Sequence, residues 1–136
     1  VTGLGGSLSA ILRGTPAVEF IATAFTDYGL PTILLPFVLG IIGNMITGST
    51  TVGVITAASL SAPMLGTLGL SPEAAMLSGA SGSVIIKYVN SSYFWICTSL
   101  TKLSVSDAVF SYGGATFVGG MVSFAAVCVM WVLGLI

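Results

Sequence analysis

Between Asp27 and Glu73 the chain runs 45 residues without a formal charge, and after Asp107 it runs 29 more. Nothing else in the sequence restricts the fold as strongly. A stretch of roughly 20 apolar residues crosses the hydrocarbon core of a bilayer as a helix. A domain of this size in water would need far more polar surface to cover its core. Only 5 % of the 136 residues are charged, against about 25 % in an ordinary soluble domain, and 55 % are apolar. Mean hydropathy is +1.11. The sequence therefore reads as an all-α integral membrane protein with the lipid bilayer as its surroundings.

The same composition removes several functions. A net charge of −1 with no basic patch gives nucleic acid nothing to bind. Arg13, Lys87 and Lys102 are too few to orient the chain by a positive-inside count. Cys97 and Cys128 lie in apolar runs, without redox or metal spacing. The absence of histidine excludes a Ser–His pair and a His-ligated metal. Asp27 and Asp107 are far apart in loop-like contexts, and nothing else marks Lys87 as a base for a serine. We read no enzyme and no cofactor.

Along the chain, residues 1–12 are rich in Gly and Ser, as at the end of a tightly packed or broken helix. Residues 16–27 open on Pro16 and predict a short helix at the membrane surface. Residues 31–66 form two apolar arms around Gly48-Ser49-Thr50, each near or below the length needed to cross alone. That pattern predicts a re-entrant hairpin; one long span plus an ordinary helix is the plainer alternative. Gly43, Gly48 and Gly53 allow close backbone approach. Residues 71–101 predict a broken transmembrane helix. Ser71 caps it, Pro72 and Glu73 fill its first turn, and Ala75, Gly79 and Ser83 make a small-residue stripe for helix contact. A new helix starts at Ser106 or Asp107, and 108–135 is the clearest complete span, with Trp131 as an interfacial anchor.

Two polar interruptions stand out. One is Thr47, Gly48, Ser49, Thr50 and Thr51; the other is Asn90, Ser91 and Ser92, with Lys87 one turn upstream. In hydrocarbon an unpaired backbone group costs several kcal/mol, so unwound chain occurs only against protein or water. Polar side chains at such a break define a site, and discontinuous helices of this kind hold the solutes of membrane carriers. The hydroxyls and the Asn90 amide would donate to an anion, with backbone amides assisting and Lys87 supplying the formal charge. The plainer alternative has each Ser or Thr bonding its own helix, and Lys87 snorkelling to the headgroups. Asn90-Ser91-Ser92 also matches a glycosylation sequon, by chance in so apolar a setting.

At these tips the sequence resembles the gluconate permeases, bacterial gluconate:proton symporters. That family carries a Gly-Ser-Ala-Thr-Val stretch, a Thr- and Ala-rich helix and an Ala-Pro, matched here by "TGSTTVGVITAASLSAP" at 47–63. A Ser-Pro-Glu start, a Gly-Ala-Gly-Ser run and a His-Val-Asn-Asp motif before Phe-Trp correspond to "SPEAA", "SGASGS" and "YVNSSYFW", followed by Leu103-Ser104-Val105. "GLGGSLSAIL" at 3–12 resembles the Gly-rich start of the same region. The motifs are short, but their order and spacing agree across nearly the whole chain. The departures are Tyr88 for histidine, Ser91 for aspartate, Asn44 for arginine and Lys87 for a small polar residue. They bear on gluconate specificity and on proton coupling.

The resemblance implies an ion-transporter fold with inverted repeats, of which this chain supplies roughly the C-terminal half. The lack of an initiator methionine agrees with a piece of a longer carrier. The expected protein is a multi-pass secondary transporter of the bacterial plasma (inner) membrane. It would carry a small organic anion such as gluconate or a related sugar acid, coupled to a proton or cation. Homo-oligomer formation is left open. The rival expectation is a membrane structural or accessory protein, or an inactive fragment, with no substrate.

Overall fold

The computed structural model describes residues 27–136 together with Phe20, Thr23 and Ala24. The expectations for residues 1–12 and for most of 16–27 lie outside the described residues. Among the described residues every regular element is helical. Two helices, Thr50–Leu68 and Val105–Val132, are long and apolar enough to cross a membrane.

Helix α1 (Leu34–Thr47) runs to a tight turn at Gly48-Ser49, and α2 (Thr50–Leu68) returns beside it. Pro63 cannot donate to a regular helical ladder, and the chain tightens into a 3₁₀ turn over Ala62–Met64 before its last helical turn. Helix α3 (Pro72–Ile85) begins as the sequence predicts: the Ser71 hydroxyl accepts from the Ala74 N–H at 3.0 Å, with Pro72 and Glu73 in the first turn. The chain is not helical over 86–91, then forms α4 (Ser92–Thr101).

Helix α5 (Val105–Val132) starts at a Ser104 cap, slightly earlier than Ser106. The Ser104 hydroxyl accepts from the Asp107 N–H at 3.1 Å and donates to its carboxylate at 2.6 Å. One π-helical stretch, Val109–Gly113, lies within α5.

Small residues bring α1, α2 and α3 together. A Cβ on Gly40 would collide with the Gly79 carbonyl, and one on Gly82 with the Phe37 carbonyl. Gly43 lies against Gly53, and Gly53 against Ser83. The predicted stripe of Ala75, Gly79 and Ser83 is buried. Lipid gives apolar side chains no reason to leave it, so close backbone packing and interhelical hydrogen bonds hold such bundles. Ser78 supplies one, its hydroxyl donating to the Ile33 carbonyl at 2.6 Å.

At the end of the bundle away from the turn, Ile33, Leu35, Met64, Leu68, Leu70 and Ala74 pack with Val127 of α5. Trp131 packs against this cluster. Phe37 stacks on Phe124, ring centroids 3.8 Å apart. The outer face of α5 is left apolar and exposed, at Phe110, Phe117, Val118, Val122 and Val129.

Candidate functional site

The two polar interruptions meet. Gly48 takes a left-handed conformation (φ 68°, ψ 4°), and its N–H closes α1 on the Asn44 carbonyl at 2.7 Å. There is no space for a side chain here, because a Cβ would run into the Asn90 carbonyl. Asn90 completes the junction, its amide donating to the Met45 carbonyl at 2.8 Å. The hairpin turn is thus docked on the unwound segment between α3 and α4.

Each interruption ends by starting a helix. Ser49 is extended and caps α2, its hydroxyl accepting from the Val52 N–H at 3.4 Å. Ser91 is extended ahead of α4 and makes no side-chain cap. Around the junction lies a cavity of about 230 Å³. Gly48, Ser49, Thr50 and Thr51 line it from the turn, and Lys87, Ser91 and Ser92 from the break. Thr47, part of the first interruption, lines it too, as does Tyr93, which the sequence did not single out. Asn90 is exposed and outside this lining; its amide is committed to the hairpin.

The hydroxyls separate a site from ordinary helix chemistry. Ser61, Ser81 and Thr98 donate to the carbonyl four residues back, at 2.6, 2.9 and 2.7 Å. That is the usual habit of such residues in apolar helices. Thr50, Thr51 and Ser92 stand in the first turn of their helices, where no preceding turn offers a carbonyl. Among the described residues these hydroxyls and that of Ser91 make no hydrogen bond. The first N–H groups of α2 and α4 are likewise without helical partners, and each helix start carries roughly half a positive charge.

Lys87 adds the formal charge. It is 7 % exposed and belongs to the unwound segment, because α3 ends at Ile85 rather than continuing towards Asn90. Its ammonium donates to Asn44 Oδ1 at 2.8 Å and forms no ion pair among the described residues. Asn44 is fully buried, and its Nδ2 donates to the Ile86 carbonyl, which the end of α3 leaves free. Sequence reasoning noted Asn44 only as a departure from a family pattern. The signal available was an amide inside an apolar helix, four residues before Gly48.

Two helices long and apolar enough to cross a bilayer accompany a polar cavity lined by one lysine. The chain belongs to the GntP family of permeases: the family profile, described as "GntP family permease", matches residues 1–136. An "Uncharacterized permease" of Haemophilus influenzae is 38 % identical over 105 residues, 76 % of this chain and 22 % of the relative. The "High-affinity gluconate transporter" of Escherichia coli K12 is 29 % identical over 112 residues, 82 % of this chain and 26 % of that protein. The "D-serine transporter DsdX" of the same strain is 28 % identical over 126 residues, 92 % and 28 % of the two chains. The chain spans about a quarter of the length of these curated relatives. No solved structure matches it. The family is one of transporters rather than enzymes.

Proposed function

We propose that this chain is the solute-binding part of a secondary active transporter for a small organic anion, gluconate or a related sugar acid. Gly48, Ser49, Thr50, Thr51, Lys87, Ser91 and Ser92 bind the solute, and Asn90 holds the two halves of the site together. One observation carries the reading. A buried ammonium, two helix N-termini and a set of uncommitted hydroxyls converge on one cavity of about 230 Å³. An anion at one helix start gains about 0.3–1 kcal/mol, and up to about 2 in partly buried geometry. The ammonium, costly to bury unpaired, gains its counter-ion from the solute. The cavity is smaller than the roughly 300–1,000 Å³ of drug-sized sites, as suits a small polar solute. Gluconate and D-serine, named for two relatives, both combine a carboxylate with hydroxyl groups.

In this reading α1 and α2 form a re-entrant hairpin, and α3 with α4 a broken transmembrane helix. The length of α1 supports it, whereas α2 alone is long enough to cross. The 14 residues of α1 make about 21 Å of helix, short of a hydrocarbon core of roughly 30 Å. The 28 residues of α5 make about 42 Å. Along α5, Val127 lies at the far cluster, Gly120 against Ile85, Gly113 against the Lys87 carbonyl, and Tyr112 edge-on to Phe94 of α4. The hairpin turn therefore meets the break part-way along α5, not at its end. The chain sits in a multi-pass protein of the bacterial plasma membrane, with a proton or cation as the coupled ion. The domain is residues 1–136, with the hairpin at 31–66, the broken helix at 71–101 and the last span at 108–135.

The test is uptake of labelled D-gluconate by the full-length protein in proteoliposomes. Ser49→Ala and Lys87→Met are expected to cut uptake at least tenfold at low solute, roughly the loss of one or two charge-assisted hydrogen bonds. Unchanged uptake in both variants, at equal insertion, removes these residues from the site.

A further inference from the structure

We propose that the Asn44–Lys87 pair sets the charge class of the solute, admitting a net anion and rejecting a zwitterion. The inference rests on the solute-binding reading above and specifies what that site selects. A carboxylate alone does not distinguish a sugar acid from an amino acid, since both present one. The difference is the ammonium of the amino acid, and the geometry around Lys87 decides against it.

The orientation of Asn44 follows from its neighbours' chemistry. The Lys87 ammonium can only donate, so it must face Oδ1; the Ile86 carbonyl can only accept, so it must face Nδ2. Both bonds are satisfied by one rotamer and by no flipped one. Asn44 therefore anchors the ammonium with a neutral acceptor, which fixes its position and leaves its charge intact. An aspartate of the same shape would fix and neutralise it together.

Among the described residues the rest of the lining is neutral. Gly48, Ser49, Thr50, Thr51, Ser91 and Ser92 are neutral, and among the described residues no carboxylate lines the cavity. A zwitterion would place its ammonium in about 230 Å³ with the Lys87 ammonium and the positive ends of α2 and α4. Like charges held a few ångströms apart out of bulk water repel strongly enough to lower affinity about tenfold or more. A sugar acid carries hydroxyls in that place, which pair with the free hydroxyls of the lining.

The experiment measures kcat/KM for D-gluconate and for D-serine with the full-length protein in proteoliposomes. The wild type is expected to favour gluconate at least tenfold. Asn44→Asp and Lys87→Met are each expected to lower the gluconate-to-serine ratio about tenfold or more, and Lys87→Arg to keep it. A merely structural role would depress both solutes alike and leave the ratio unmoved. The ratio unchanged in Asn44→Asp overturns the inference while leaving gluconate transport standing. Should Asn44→Asp fail to insert, the ratio in Lys87→Met decides in the same way. A wild type that carries gluconate and D-serine equally overturns the inference alone; one that carries neither overturns the solute-binding reading with it.

Discussion

The Lys87 ammonium lies 2.8 Å from Asn44 Oδ1, across 43 residues of sequence, and joins α1 to the non-helical segment between α3 and α4. Asn44 also caps the Ile86 carbonyl that the break sets free. One buried amide therefore holds the end of α3 and positions the charge of the cavity. The arrangement explains how an ammonium persists in so apolar a chain: it is tethered to a neutral partner and lines a polar cavity.

Solute-dependent stability follows from that pairing. At a hundred times Kd a bound solute stabilises a protein by about 2.7 kcal/mol. Melting of the full-length protein in detergent should rise with added D-gluconate and not rise in Lys87→Met. Without solute, Lys87→Met should melt no lower than wild type. Relief of ammonium burial, several kcal/mol, outweighs the roughly 1–3 kcal/mol of leaving Asn44 Oδ1 unpaired.

Gly48 and Gly69 give a matched comparison. Both have positive φ, 68° and 63°, but Gly69 has open space around it and Gly48 abuts the Asn90 carbonyl. Gly69→Ala should cost only the backbone strain, about 1–2 kcal/mol. Gly48→Ala should cost more and undock the turn, seen as a larger fall in melting temperature with loss of uptake.

Packing between α1 and α3 allows a ranking. Interhelical side-chain hydrogen bonds in membranes average about 0.6 kcal/mol, so Ser78→Ala should be mild. Gly82→Ala drives a methyl into the Phe37 carbonyl, and overpacking of that kind costs about 1–3 kcal/mol or more. Resistance to denaturation in detergent should fall in that order; the reverse order would mean that these helices are not held by close backbone contact.

Asn90 and Ser49 should separate kinetically. Asn90 bonds the Met45 carbonyl outside the cavity lining, whereas Ser49 lines the cavity. Asn90→Ala should lower stability with little change in KM, and Ser49→Ala should raise KM. Equal KM effects would put Asn90 in contact with solute.

Much of this was legible in the sequence because it is local. Ser71-Pro72-Glu73 announces the start of α3 through capping chemistry. The small residues of α1, α2 and α3 foretold close packing. The sequence does not mark where α3 ends. Val84, Ile85 and Ile86 are apolar, and the periodic pattern runs on through them. Where α3 ends, the Ile86 carbonyl accepts from a side chain 42 residues away. No local rule reveals such a partner. Asn44 and Lys87 were each noticed as departures from the family pattern, and only the fold shows that they touch. The π-helical stretch over Val109–Gly113 left no recognised signal.

The most direct measurement is solute protection of a single cysteine in the cavity. With Cys97 and Cys128 replaced by alanine, Ser92→Cys in the full-length protein is treated with a membrane-impermeant thiol reagent, with and without D-gluconate. The account predicts labelling from water, slowed about tenfold at ten times Kd. A thiol that stays unlabelled, or that reacts equally fast under saturating gluconate, would contradict a water-filled, solute-binding junction between the hairpin and the broken helix.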